Sequence, residues 1–215
     1  GEAHAVFHAG EFGGRWPSKT DVTVTVLLSS RAVELTVAAK NVGDVAEPVG
    51  IGWHPRFAIA GERSRWQLRI PAMRREMKGE DGHPTGELAK VTGTAYDFTP
   101  VEGVELGTRG LDECFVDLQQ DLLDNGPVAE LMDPADNFGL RLTALSSTIK
   151  AMRVDAPASG AYVSIDPSYN YDDPFGLEWG GQTDTGMVVL QPGQTTQWKV
   201  RLELFSLNGG GGPEL

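Results

Sequence analysis

The chain has 215 residues, a formal net charge of -12, 22% charged residues and 40% hydrophobic residues. That length buries a sizeable core, and such a composition excludes wholesale disorder. The acidic balance argues against nucleic acid or an anionic membrane as a partner, because either requires a basic face. Cys114 is the only cysteine, so no internal disulfide forms and nothing marks an oxidising compartment. No apolar run is long enough to span a bilayer, and the first residues do not read as a signal peptide. A cytoplasmic location is the expectation.

In chain order the dominant pattern is period-two alternation. D-V-T-V-T-V-L-L-S (21 to 29) and A-V-E-L-T-V-A-A-K-N (32 to 41) predict a hairpin closed by a short S-S-R turn. Further strands are predicted over 66 to 70, 113 to 118, 128 to 133, 138 to 145, 149 to 155, 161 to 167, 186 to 190 and 195 to 205. Turn signals such as N-G-P, D-P-A-D-N, P-A-S-G and Q-P-G-Q separate them. No window has a convincing helical period; the best, L-Q-Q-D-L-L-D (118 to 124), is too brief to matter. Many short strands at fairly regular spacing predict antiparallel sheets packed as a sandwich. With no repeat and no linker, residues 1 to 207 form one expected domain, and 208 to 215 a glycine-rich flexible tail.

Four stretches carry more than sheet. In G-I-G-W-H-P-R-F-A-I (50 to 59) a histidine stands in an apolar run directly before Pro55. A lone histidine is more often a core residue than a catalyst, but proline biases His54 toward extended backbone and removes a ladder donor, which predicts a strand leaving its sheet at this point. H-P-T-G-E-L-A-K-V-T-G-T-A-Y-D-F (83 to 98) places two turn-forming stretches around a short strand. G-L-D-E-C-F-V-D-L (110 to 118) opens on an acidic pair, of which Asp112 can bind hydroxyls. In Y-V-S-I-D-P-S-Y-N-Y-D-D-P-F (162 to 175), Asp166 ends an apolar strand before Pro167, and Tyr169, Asn170 and Tyr171 follow. Rings beside amide and carboxylate groups suit a sugar, stacking on its C–H faces and reading its hydroxyls.

In this order the stretches resemble the aldose 1-epimerase (galactose mutarotase) family. The marks are N-V-G-D, P-V-G-I-G-W-H-P-R-F, P-T-G-E, V-T-G-T-A-Y-D-F, L-D-E-C-F, Asp166 with its proline, and G-M-V-V-L-Q-P-G-Q-T. The resemblance implies an all-β antiparallel β-supersandwich and interconversion of the α and β anomers of a free aldose, with no cofactor and no metal. It implies that His54 is the acid, Asp166 the base and Asp112 a hydroxyl-binding carboxylate. Trp53, His54 and Phe57 are expected to form one wall of the cleft and Asp112 and Asp166 its floor, with Tyr169 and Asn170 also against the sugar.

Three departures accompany it. The family's base is usually glutamate, one methylene longer than Asp166. Nothing here matches the upstream L-H-G-G segment, since His4 and His8 lie in a different context. Arg56 stands where many relatives carry an aromatic residue, and a guanidinium suits an anionic sugar. Two other functions fit the same acids: a glycoside hydrolase pairing Asp166 with Asp112, Asp172 or Asp173, and a carbohydrate-binding protein without catalysis. Adjacent Asp172 and Asp173 suit calcium, but Y-D-D-P is more simply a solvated turn. Oligomeric state is not legible in the sequence.

Overall fold

The computed structural model describes residues 1–120, 122 and 124–208. The first strands are β1 (Glu2–Ala9), β2 (Thr20–Leu28), β3 (Ala32–Asn41), β4 (Glu47–Val49) and β5 (Arg56–Ala58). Next come β6 (Gln67–Arg69), β7 (Ala72–Lys78), β8 (Pro84–Lys90), β9 (Val104–Glu105), β10 (Leu111–Leu118) and β11 (Val128–Asp133). The last are β12 (Phe138–Ala144), β13 (Ala151–Ala156), β14 (Tyr162–Ser168), β15 (Val188–Leu190) and β16 (Thr195–Phe205). Among the described residues there is no α-helix, only three short 3-10 turns. Among those residues no helix is long and apolar enough to cross a membrane.

All strand pairs are antiparallel. An eight-stranded sheet runs β1-β2-β3-β16-β12-β11-β6-β9, a six-stranded sheet runs β5-β14-β13-β10-β7-β8, and β15 pairs with β4. The predicted hairpin is β2–β3, closed where the Ser29 N–H donates to the Ala32 carbonyl.

Alternation explains the core. In T-T-Q-W-K-V-R-L, Trp198 and Val200 face inward while Lys199 and Arg201 face out. They meet Leu68, Leu131 and Leu142 of their own sheet and Phe115, Met152, Val154, Val163 and Ile165 of the six-stranded one. The two largest inward groups also satisfy their polar atoms: Trp198 Nε1 donates to the Pro167 carbonyl at 3.2 Å, and the Tyr169 hydroxyl pairs with Thr196 at 3.0 Å. Burial of each such ring is worth roughly 2–3 kcal/mol.

Alternation was not visible where both faces are polar or open. β1 is exposed along nearly its whole length, and β7 carries Arg74, Arg75, Glu76 and Lys78. Neither was predicted as a strand. The P-T-G-E stretch lies within β8, where Gly86 has φ +81°; a Cβ there would collide with the Glu178 carbonyl. That close approach lets Trp179 pack with Cys114, Val116, Ala151 and Tyr171 on the outer face of the six-stranded sheet. Of the expected tail, only Asn208 is described, its N–H donating to Asn137 Oδ1; residues 209–215 lie outside the described residues. So do Asp121 and Leu123 of the brief helical candidate.

Candidate active site

The site is set by one register. β5 pairs with β14 so that Arg56 lies opposite Ser164 and Ala58 opposite Tyr162. Gly52 lies opposite Ser168 in an isolated bridge farther along. The same register carries His54 opposite Asp166, although Pro55, which has no N–H, keeps this stretch from forming a continuous ladder. The chain therefore enters the sheet after Pro55 rather than leaving it there, contrary to the expectation from sequence. His54 Nδ1 and Asp166 Oδ2 are in direct hydrogen-bond contact on the outer face.

Neighbouring strands extend this row. Asp166 lies opposite Arg153 on β13, and Arg153 opposite Cys114 on β10. One row over, Ser164 lies opposite Asp155, and Asp155 opposite Asp112. A cleft of about 370 Å³ results, lined by His54, Asp112, Arg153, Asp155 and Asp166. Cavities of about 730 and 790 Å³ lie elsewhere on the surface, but no histidine lines either. Of these three, the smaller cleft joins a histidine to a carboxylate.

The charges around it are ordered. Arg153 spans Asp112 at 2.9 Å and Asp172 at 3.1 Å, while Lys78 spans the same two carboxylates at 3.1 and 3.7 Å. Burial alone would raise the Asp112 carboxyl, but hydrogen bonds from Lys78 and Arg153 outweigh it and hold that carboxyl below its usual range. Asp166 moves the other way. Burial pushes its carboxyl up, against hydrogen bonds from Ser164 and His54. Asp166 keeps only 10% of its side chain exposed and His54 keeps 53%, so the carboxylate is fixed while the imidazole has room to turn. A buried, high-affinity proton acceptor beside an accessible imidazole can exchange protons with a bound hydroxyl.

Several expected contacts are not made. Tyr169 is fully buried and spends its hydroxyl on Thr196, so it belongs to the core. Phe57 lies opposite Val163 and, like Trp53, packs against the core on the side of the sheet away from the cleft. The expected aromatic wall is therefore absent: odd-numbered positions of this stretch point inward. Asn170 turns its side chain toward Gly50, beyond the cleft. Arg56 is exposed on the cleft's face and stacks over the Tyr162 ring at 4.7 Å, and Tyr162 donates to Asp155 at 3.0 Å. It borders the cleft without lining it.

Arg153, Asp155, Lys78 and Ser164 were not singled out from the sequence. The signal was present in A-M-R-V-D-A and Y-V-S-I-D-P, where polar residues recur every second position between apolar ones. His4 and His8 lie on β1 in the other sheet, paired with Thr25 and Asp21. Asp173 sits in a turn at φ +43°. Glu76, Cys114 and Asp172 bring ligand-type atoms within 4.8 Å of one another. Yet Asp172 already holds Arg153 and Lys78, and burial pushes the Cys114 thiol well up. A metal ion there would have to displace both cations and a proton.

Fold and site together define an all-antiparallel, mutarotase-like β-sandwich with a histidine and a carboxylate facing each other on an open sheet. Residues 2–203 match the aldose 1-epimerase family profile, and the chain belongs to that family. Its fold is similar to that of a galactose mutarotase-like protein from Clostridium acetobutylicum, at 17% identity and a TM-score of 0.82, covering 96% of this chain and 63% of that one. An aldose epimerase homologue from C. elegans matches at 14% identity and 0.76, covering 96% and 66%. A galactose 1-epimerase from Lactobacillus acidophilus matches at 19% and 0.68, covering 95% and 62%. The chain thus spans less than two thirds of the length of these relatives. No curated protein matches it.

Proposed function

We propose that the chain is an aldose 1-epimerase acting on an uncharged free sugar. The observation that carries this reading is the cross-strand contact of His54 with Asp166 in a cleft. Asp166 takes the proton of the anomeric hydroxyl, the bond between the anomeric carbon and the ring oxygen breaks, and His54 gives its proton to that oxygen. Rotation of the open-chain aldehyde followed by the reverse transfers closes the ring on the other face. No net proton is gained or lost. The positioned pair lowers the barrier by replacing two encounters with solvent.

Two observations weigh against the hydrolase reading. Asp112 offers Oδ1 to Arg153 and Oδ2 to Lys78, and Asp172 is bound by the same two cations. Each is thus paired with two cations, and a carboxylate so paired is a poor proton donor for glycoside cleavage. The cleft's three aspartates against one arginine also disfavour an anionic sugar, and Arg56 does not line it.

The direct test is anomer exchange on freshly dissolved α-glucose and α-galactose, followed by polarimetry, with a chromogenic glycoside in parallel. Exchange without glycoside cleavage is expected. Cleavage without exchange would put the hydrolase in its place, and neither would leave a binding protein. Asp166→Glu sharpens the test. The extra methylene carries the carboxyl away from the buried Ser164 hydroxyl and toward the half-exposed imidazole, which can yield, so Asp166→Glu should keep exchange within about tenfold of wild type. Loss of all exchange on this change would mean that the cleft does different work.

A further inference from the structure

Ser164 is fully buried beneath the pair. Its Oγ lies 2.5 Å from Asp166 Oδ1, 2.6 Å from the Pro55 carbonyl oxygen and 3.5 Å from His54 Nδ1. A hydroxyl has one proton to give. The carbonyl can only accept, and so can an ionised carboxylate. Both short contacts cannot be full hydrogen bonds at once while Asp166 is charged, so the two oxygens compete for a single proton.

The charge on Asp166 decides the competition. A hydrogen bond to an ionised acceptor is roughly twice as strong as one between neutral groups. The carboxylate therefore wins the proton when Asp166 is ionised. Once Asp166 is protonated its oxygens are weaker acceptors than a peptide carbonyl, and the Pro55 carbonyl takes the hydroxyl proton. The change requires only rotation about the Cβ–Oγ bond.

We propose that Ser164 is a positioning residue for Asp166: its hydroxyl holds Oδ1 while the base is ionised and turns to the Pro55 carbonyl once the base has taken a proton. This rests on the acid–base reading of the pair and adds a third residue to it. Holding Oδ1 fixes the carboxylate plane and leaves Oδ2 to face His54 and the sugar. After the turn, the bond to the Pro55 carbonyl ties β14 to the residue that follows His54. The other charged groups facing Asp166 are His54 from the segment before β5, Arg153 and Asp155 from β13, and Asp112 from β10. None of these approaches Oδ1 as Ser164 does among the described residues.

The test is Ser164→Ala, with Ser164→Thr as the variant that keeps the hydroxyl. Without the donor, the ionised form of Asp166 loses support, so the acid limb of the pH–rate profile for anomer exchange should move to higher pH. Exchange at pH 5 should fall about tenfold while exchange at pH 8 stays within about twofold, with KM unchanged. Ser164→Thr should return the limb toward wild type. A purely structural hydroxyl would instead lower the rate equally at all pH values, and that uniform drop, or an unchanged profile, would overturn the proposal. A carbon-13 titration of the Asp166 carboxyl in wild type and Ser164→Ala supplies a readout that needs no turnover. An upward-shifted midpoint supports the role of Ser164 even if wild type shows no exchange, in which case only the epimerase reading falls. An unshifted midpoint overturns the role of Ser164 whatever the rates. If Ser164→Ala does not fold, Ser164→Cys, a weaker donor, should shift the midpoint in the same direction by less, and no shift there overturns it equally.

Discussion

Replacing Asp166 by asparagine, or His54 by alanine, is expected to lower anomer exchange by about two to four orders of magnitude, the usual scale for a positioned proton-transfer group. Asparagine keeps the shape and can still accept the bond from Ser164, but it cannot take a proton from the sugar. In the proposed mechanism, alanine at position 54 removes the donor to the ring oxygen. Because the imidazole is 53% exposed, its loss opens no cavity, and the stability cost is that of the lost hydrogen bond to Asp166, on the order of 1–3 kcal/mol. Sugar affinity should stay within about tenfold, since these groups do their work as charge moves in the transition state. The double variant should be little worse than either single one, because half a proton relay is already broken. Isothermal titration for binding and polarimetry for exchange separate the two quantities. Exchange within tenfold of wild type in Asp166→Asn would remove the base from the mechanism.

The fold was largely legible because most strands bury one face. The predicted runs over 32 to 41, 128 to 133 and 195 to 205 coincide with β3, β11 and β16. β1 and β7 escaped for opposite reasons. β1 buries little on either face, so nothing forces its residues to alternate. β7 alternates, but its outer positions carry Glu76 and Lys78 for the charged floor while its inner Arg75 is ion-paired to Glu113 at 2.7 Å. Charged residues on both faces hide a strand from any pattern based on hydrophobicity.

The site was half legible. His54, Asp112 and Asp166 could be placed by the order of family-like motifs, and the structure brings them into one cleft. Trp53, Phe57 and Tyr169 were assigned to the sugar because they stand close in sequence to those residues. A one-residue step along a strand reverses the face, and His54 and Asp166 both occupy outward positions, so their immediate neighbours point to the core. Arg153 and Lys78 were missed because their role depends on cross-strand register, which no single strand contains. They explain what the sequence left open: why several acids can crowd one cleft without all being free to react.

Replacing Glu76 by glutamine should remove a pH-dependent loss of stability. Glu76 is completely buried on β7. Its Oε1 accepts the Asp172 N–H at 3.1 Å, and its Oε2 is buried without a well-formed hydrogen bond among the described residues. Burial raises its carboxyl from 4.5 to about 7, with the charge of Asp172 adding to the rise; the Cys114 thiol, the Asp172 N–H and Lys78 pull against it. The folded protein therefore holds this proton where the unfolded chain has lost it. Below the unfolded value both states are protonated and the group costs nothing. Between that value and about 7 the folded state binds more protons, so stability falls as pH rises, and above it the full cost is in place. A shift of this size corresponds to about 3 kcal/mol, or on the order of 10 °C in Tm for a chain of this length. Glutamine keeps the acceptor for Asp172 and carries no charge. Thermal unfolding followed from pH 5 to pH 8 should show wild type losing stability relative to Glu76→Gln, with the two nearly matched at the acid end and well apart at pH 8. Curves that run parallel across that range would mean that Glu76 keeps its charge in the fold, and a second ionised carboxylate would then stand beside Asp172 under the floor of the cleft.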